Sequence, residues 1–282
     1  MLPAHAYPLL FAVAAVSGWI DAVAGSGGLL QLPVLLLLGR SLPVPTLLGT
    51  NKLPATVSKT FAALTYTRRH PVDRAVAIRC GLAATTGSAG GAVFALGIST
   101  AFLRPIILGL LVVVALFILF RPRFGEAASS PTPSATPDES RTPAADPADP
   151  ADLAGTAHRA SRRTAALALL GSSAIGFYDG MAGPGSGTFL IILFTTLMAQ
   201  EFVRVLSTAT WINLGTNLGA LTVFAVRGDV LWTLGLGMAA FSMAGAIIGA
   251  RMTLNRGSRF IRIVLLLVIT CTALRLAMDQ FD

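Results

Sequence analysis

Gly18-Trp-Ile-Asp21-Ala-Val-Ala-Gly25-Ser-Gly-Gly28 is written again as Gly176-Phe-Tyr-Asp179-Gly-Met-Ala-Gly183-Pro-Gly-Ser-Gly187, 158 positions along the chain. The same offset carries Thr50 to Thr208, Gly87 and Gly91 to Gly245 and Gly249, and Phe102 with Arg104 to Phe260 with Arg262. A register held this long in so apolar a chain marks a duplicated membrane unit. Duplication of this kind is common among transporters, whose sites lie where two repeats meet.

Composition fixes the solvent. Hydrophobic residues make up 54% of the 282 residues and charged ones 12%, with mean hydropathy +0.73, too little polar surface to dissolve a globule. The net charge of +8 would suggest nucleic acid in a soluble protein. Here the arginines stand in short clusters between apolar runs, which is the positive-inside pattern of a membrane protein, and no nucleic-acid partner is expected. Cys80 and Cys271 are too few and too far apart for a disulfide framework or a metal site. No Lys or Arg precedes the first apolar run, so a cleaved signal peptide is not expected.

Six runs are long enough to span a bilayer, at about 43–66, 76–98, 102–120, 203–226, 231–250 and 260–278. Two more, about 8–38 and 165–199, are too long for one helix and too short for two spans, and the repeated signature interrupts each. Glycine at that density, with Pro184 in the second copy, breaks a helix. Between the repeats, about 122–162, the sequence turns to Pro, Ala, Ser, Thr and Asp, with almost nothing to bury; a disordered linker is expected there. The chain thus divides into repeat one (1–121), linker and repeat two (163–282).

Loop charge selects the topology. If each broken run is a re-entrant hairpin followed by three spans, then the 68–79 loop, the linker and the 251–262 loop share one face, which holds most of the arginines. That face is cytoplasmic by the positive-inside rule, and both termini are then extracytoplasmic. Each repeat crosses an odd number of times, so the expected fold is an all-α membrane protein of two inverted repeats.

Backbone exposed at membrane depth must face protein or a water-filled cavity. The helix restarting after each break aims free N–H groups and a positive dipole end at the membrane centre, an anion site. The donors in repeat one are Gly27, Gly28 and Leu29; in repeat two they are Ser186, Gly187 and Thr188. The chain has only two lysines, Lys52 and Lys59, both inside an apolar run, where a charge costs roughly 2.5–3.5 kcal/mol on insertion scales. With Thr56 they share one helical face. Lys52, nearest mid-span, is the candidate for attracting substrate, while Lys59 could equally snorkel to an interface. Repeat two offers Thr210 and Asn217 at these positions, with Asn213 one turn earlier. Gly25, Ser26, Asn51, Gly185 and Thr208 complete the candidate binding set. Asp21 and Asp179, just before the breaks, have three possible roles: proton carrier, partner to Lys52, or cap of the broken backbone.

The two glycine motifs, together with Gly49-Thr-Asn-Lys52, resemble the TauE/SafE family of sulfite exporters and related anion permeases, over nearly the whole chain apart from the linker. The resemblance implies plasma-membrane proteins that move small sulfur-containing anions such as sulfite, sulfoacetate, thiosulfate or organosulfonates. From the residues alone only negative charge follows.

An enzyme is poorly supplied. His5, His70 and His158 lie outside the apolar runs, no metal-ligand or cofactor motif occurs, and an Asp21/Asp179 dyad is the sole candidate. Neither glycine motif ends in the Gly-Lys-Ser/Thr of a phosphate-binding loop, so transport is driven by a gradient, expected to be protons, or runs downhill. A cation transporter using Asp21 and Asp179 is the alternative, against which Lys52 stands.

Overall fold

The structure, a computed structural model, describes residues 6–70, 72–119, 150–198 and 202–278. Nine helices account for almost all of it: α1 Ala6–Ala24, α2 Gly28–Leu38, α3 Val44–Thr67, α4 Arg74–Leu96, α5 Thr100–Leu119, α6 Pro150–Met181, α7 Ser186–Leu197, α8 Phe202–Val226 and α9 Trp232–Met278. α1, α8 and the Trp232–Arg256 part of α9 are long and apolar enough to cross a membrane by length and composition. α4 with the start of α5, bent by 118°, is a further candidate. The two short helices, α2 and α7, rise only about 16–18 Å at 1.5 Å per residue.

Both broken runs fold as expected at the signature, and the first turns back on itself. The Ser17 hydroxyl donates to the Gly27 carbonyl, and a methyl on Gly27 would overlap the Ser17 carbonyl. α2 therefore returns alongside α1. Gly25 and Gly183, equivalent in the two repeats, take φ of +70° and +91°, backbone that a side chain would strain.

Two boundaries differ from the sequence reading. α6 begins at Pro150, inside the stretch read as linker; Pro suits a first helical position, and the Ala-rich segment behind it favours helix. The rest of that stretch, 122–149, lies outside the described residues. The expected loop between spans 231–250 and 260–278 is absent, because α9 runs on through it. Arg251, Met252, Leu254 and Arg256 favour helix there, and the one glycine, Gly257, weakens a helix by about 1 kcal/mol without ending it.

Packing is exchanged between the repeats. α1 lies on α9 and α6 on α4; α3 lies on α9 and α8 on α4. The glycines record it residue by residue. Gly18 meets Ser242 and Gly176 meets Ala84; Gly245 meets the Ala15 carbonyl and Gly87 that of Ser173; Gly249 meets the Trp19 carbonyl and Gly91 that of Phe177. Each pair maps onto the other under the 158-residue offset. The equivalent helices α3 and α8 run antiparallel: Gly49 near the start of α3 packs on Phe224 near the end of α8, and Trp211 Nε1 donates to Thr67 Oγ1 at the end of α3.

The interior is layered. One apolar cluster holds Leu10, Leu35, Leu47 and Phe224; a second holds Ile20, Tyr66, Phe194 and Leu206. Along α3 the first cluster ends at Leu48 and the second begins at Ala62, and the polar positions 50–59 lie between. α8 repeats the pattern, with Asn213 and Asn217 between Ile212 and Ala220. A polar band is thus enclosed between two apolar cores.

A methyl on Gly245 would overlap the Ala15 carbonyl, whereas one on Gly109 meets nothing within 4 Å. Gly245→Ala should lower the thermal midpoint in detergent by roughly 5 °C, as overpacking of about 1–3 kcal/mol does, and Gly109→Ala should leave it level or slightly raised. Equal behaviour of the two variants would show that the glycine contacts do not hold α1 on α9.

Candidate functional site

Lys52 and Lys59 are separated by two turns of α3, and both are buried, each 3% exposed. A charge so placed needs an opposite charge at contact distance. Each lysine has one. Lys52 Nζ lies 2.8 Å from Asp179 Oδ2 and also donates to the Asp179 main-chain carbonyl at 2.6 Å. Lys59 Nζ lies 2.8 Å from Asp21 Oδ1. The carboxylates sit in the last turn before each break, so one residue from each repeat reaches the same helix.

Both aspartates also bridge their own break. The Gly27 amide donates to Asp21 Oδ1 at 3.2 Å, and the Ser186 hydroxyl donates to Asp179 Oδ1. Two of the three roles open for these residues are therefore occupied: lysine partner and cap. Asp179 is the partner of Lys52, and Asp21 is not. Lys59 does not snorkel, because Asp21 holds it inside.

The two breaks touch. A methyl on Gly25 would overlap the Gly187 backbone, one on Gly28 would meet Pro184, and Thr188 Oγ1 donates to the Ala24 carbonyl at 2.9 Å. Between them and α3 lies a cavity of about 30 Å³, room for a water or two. Among its lining residues are the expected Asp21, Gly25, Gly28, Asn51, Lys52, Lys59, Asp179, Gly185, Ser186 and Asn213.

The remaining candidates stand elsewhere. Thr208 and Thr210 turn their hydroxyls to their own helix, on the carbonyls of Arg204 and Leu206. Ser26 is buried with no hydrogen-bond partner for its hydroxyl. Gly27 and Gly187 hold the breaks together instead of lining the cavity. Several expected amide donors are also engaged within the protein: Gly27 on Asp21, Leu29 on the Ser26 carbonyl, and Ser186 on that of Gly183. With its amide oxygen facing donors, Asn213 accepts from Lys59 Nζ at 3.1 Å and from the Gly187 amide at 3.2 Å.

Sequence reasoning left Gln31, Ser58 and Ser242 out of the candidate set, yet all line the cavity, as does Asn217. Gln31 Nε2 donates to Asn51 Oδ1 at 2.9 Å, fixing the residue beside Lys52. Its signal was available: Gln31 is the one polar side chain of the otherwise apolar helix α2. Asn217 carried the offset signal, as the counterpart of Lys59.

Chemically, the arrangement offers two ammonium groups, neutral amides and hydroxyls, with each ammonium held by a carboxylate that an anion could replace. Known proteins resemble the chain over nearly its whole length. The family model described as sulfite exporter TauE/SafE matches residues 10–276. The chain is 30% identical over 275 residues to the probable membrane transporter protein ORF9 of a Sinorhizobium species, covering 98% of this chain and 94% of that one. It is also 30% identical to the probable membrane transporter protein YfcA of Escherichia coli K12, over 96% of this chain and 90% of the relative. No solved structure matches.

Removing one partner of a buried ion pair strands the other, at about 3–5 kcal/mol, whereas replacing both with apolar groups is often neutral. Lys52→Met and Asp179→Leu should each lower unfolding stability in detergent by that order, and the double variant should recover most of the loss. A double variant as unstable as the sum of the two would show the contact to be incidental.

Proposed function

The chain belongs to the sulfite exporter TauE/SafE family of membrane transporters, and from that premise we infer a secondary transporter that moves a small sulfur-containing anion across the plasma membrane, linked to protons. The substrate class is sulfite, thiosulfate, sulfoacetate or another organosulfonate. The observation that carries the reading is the pair of buried lysines lining one cavity, each held by a carboxylate that an incoming anion could replace. A cation site would not place two ammonium groups there.

The two repeats are inverted in the membrane, with the linker cytoplasmic and both termini outside. The antiparallel course of α3 and α8 supports this, because helices related by the 158-residue offset then cross in opposite senses. The 68–79 loop and the arginine-bearing 251–262 stretch of α9 then share the cytoplasmic side.

At about 30 Å³ the cavity is too small for a sulfonate group. In the form described the carboxylates stand on the lysines that the substrate would take. Substrate entry requires the breaks to part and the lysines to change partner.

The test is a thermal-shift series on the purified protein with sulfite, thiosulfate, sulfoacetate and taurine. A ligand of the folded state raises the unfolding midpoint, by about 2.7 kcal/mol of stability at a hundredfold excess over Kd. At least one sulfur anion should raise it, and Lys52→Gln should remove the shift. Should Lys52→Gln instead create or strengthen a shift with a metal cation, the charge of the substrate has been read the wrong way round. Vesicles that carry none of these anions, with no shift from any, would sink the reading.

A further inference from the structure

The cavity is electrically balanced, with Lys52 and Lys59 against Asp21 and Asp179. A monovalent anion entering it would leave one negative charge unmatched between two apolar cores, a burial that costs several kcal/mol. One proton on a carboxylate restores neutrality. The surroundings decide which carboxylate.

Asp21 Oδ1 accepts from both Lys59 and the Gly27 amide. A proton there would loosen the backbone amide of the break, and the nearest hydroxyl, Ser58, stands at 3.4 Å and is already given to the Ala55 carbonyl. Asp179 differs on both counts. Its second oxygen meets the Ser186 hydroxyl, which can turn from donor to acceptor, and Lys52 keeps the Asp179 main-chain carbonyl when the carboxylate is neutralised. The other charged groups at the cavity are Asp21 and Lys59 alone. Of the other helices against α6, α4 carries charge only at Arg74 and Arg79 in its first two turns, α8 only at Arg204, and α7 none.

Resting on the anion reading above, we propose that Asp179 is the proton carrier, that one proton moves with each substrate molecule, and that the site is thereby matched to monovalent sulfur anions. The exchange balances. A proton binds Asp179 Oδ1, where the Ser186 hydroxyl turns to accept it, the ionic contact with Lys52 lapses, and Lys52 Nζ takes an oxygen of the anion. When the anion leaves, the proton leaves with it and the Lys52–Asp179 pair closes again. Asp21 stays ionised throughout. A dianion therefore crosses with one uncompensated charge.

The experiment uses the full chain in proteoliposomes, with labelled methanesulfonate, a monoanion at every working pH, and thiosulfate, a dianion. A pH gradient should drive methanesulfonate accumulation at a rate unchanged by an imposed membrane potential, whereas thiosulfate movement should respond to the potential. Asp179→Asn should lower the ratio of gradient-driven accumulation to methanesulfonate exchange at least tenfold. Asp229→Asn, at a carboxylate outside the cavity that accepts from Thr46, should retain that accumulation per correctly folded molecule, judged by monodisperse elution. Potential-sensitive methanesulfonate transport in the unaltered protein would overturn the proposal without recourse to any variant. So would an unchanged ratio of accumulation to exchange in Asp179→Asn. If methanesulfonate and thiosulfate exchange but ignore the pH gradient, the coupling proposal alone falls. If the unaltered protein neither exchanges nor binds either anion, the anion reading falls and takes the coupling with it.

Discussion

Two positive charges buried on one helix set the terms for everything around them. Lys52 and Lys59 can remain inside only if carboxylates are brought to contact distance, and the carboxylates that reach them stand just before the two glycine breaks. The breaks must therefore converge on α3. Their glycines let them do so, because the two backbones meet with no side chain between. The polar band and its apolar cores follow from the same requirement: a layer that must contain four charges is sealed above and below by residues that exclude water.

The duplicated scaffold is symmetric in its packing and asymmetric in its chemistry. Glycine contacts obey the 158-residue offset pair by pair, yet both lysines belong to α3, and their counterparts on α8 are Thr210 and Asn217. Backbone-to-backbone contacts tolerate little change, since any side chain would collide. Polar positions in the enclosed band carry no such steric limit. Charge could thus be concentrated on one helix while the frame kept its two-fold pattern.

Much of this was legible in the sequence, and the reason differs from feature to feature. The breaks and the buried lysines each have a one-dimensional signature: glycine density, and rare charge in an apolar run. The partners of the lysines have none, because Asp21 and Asp179 are both near breaks and only three-dimensional packing assigns one to each lysine. Thr208 and Thr210 looked like site residues by offset alone, but a helical threonine has its own backbone carbonyl four residues back as a ready acceptor, and both use it. Helix boundaries failed where propensity was weak evidence, at Pro150 and across Gly257, since neither a proline at a first position nor a lone glycine stops a helix.

The two ion pairs differ in what they join. Lys59–Asp21 lies wholly within the first repeat, while Lys52–Asp179 ties that repeat to the second. Any motion that rocks one repeat as a rigid body against the other leaves the first distance fixed and must alter the second. Lys52–Asp179 is then a built-in strain gauge, and Lys59–Asp21 its internal reference.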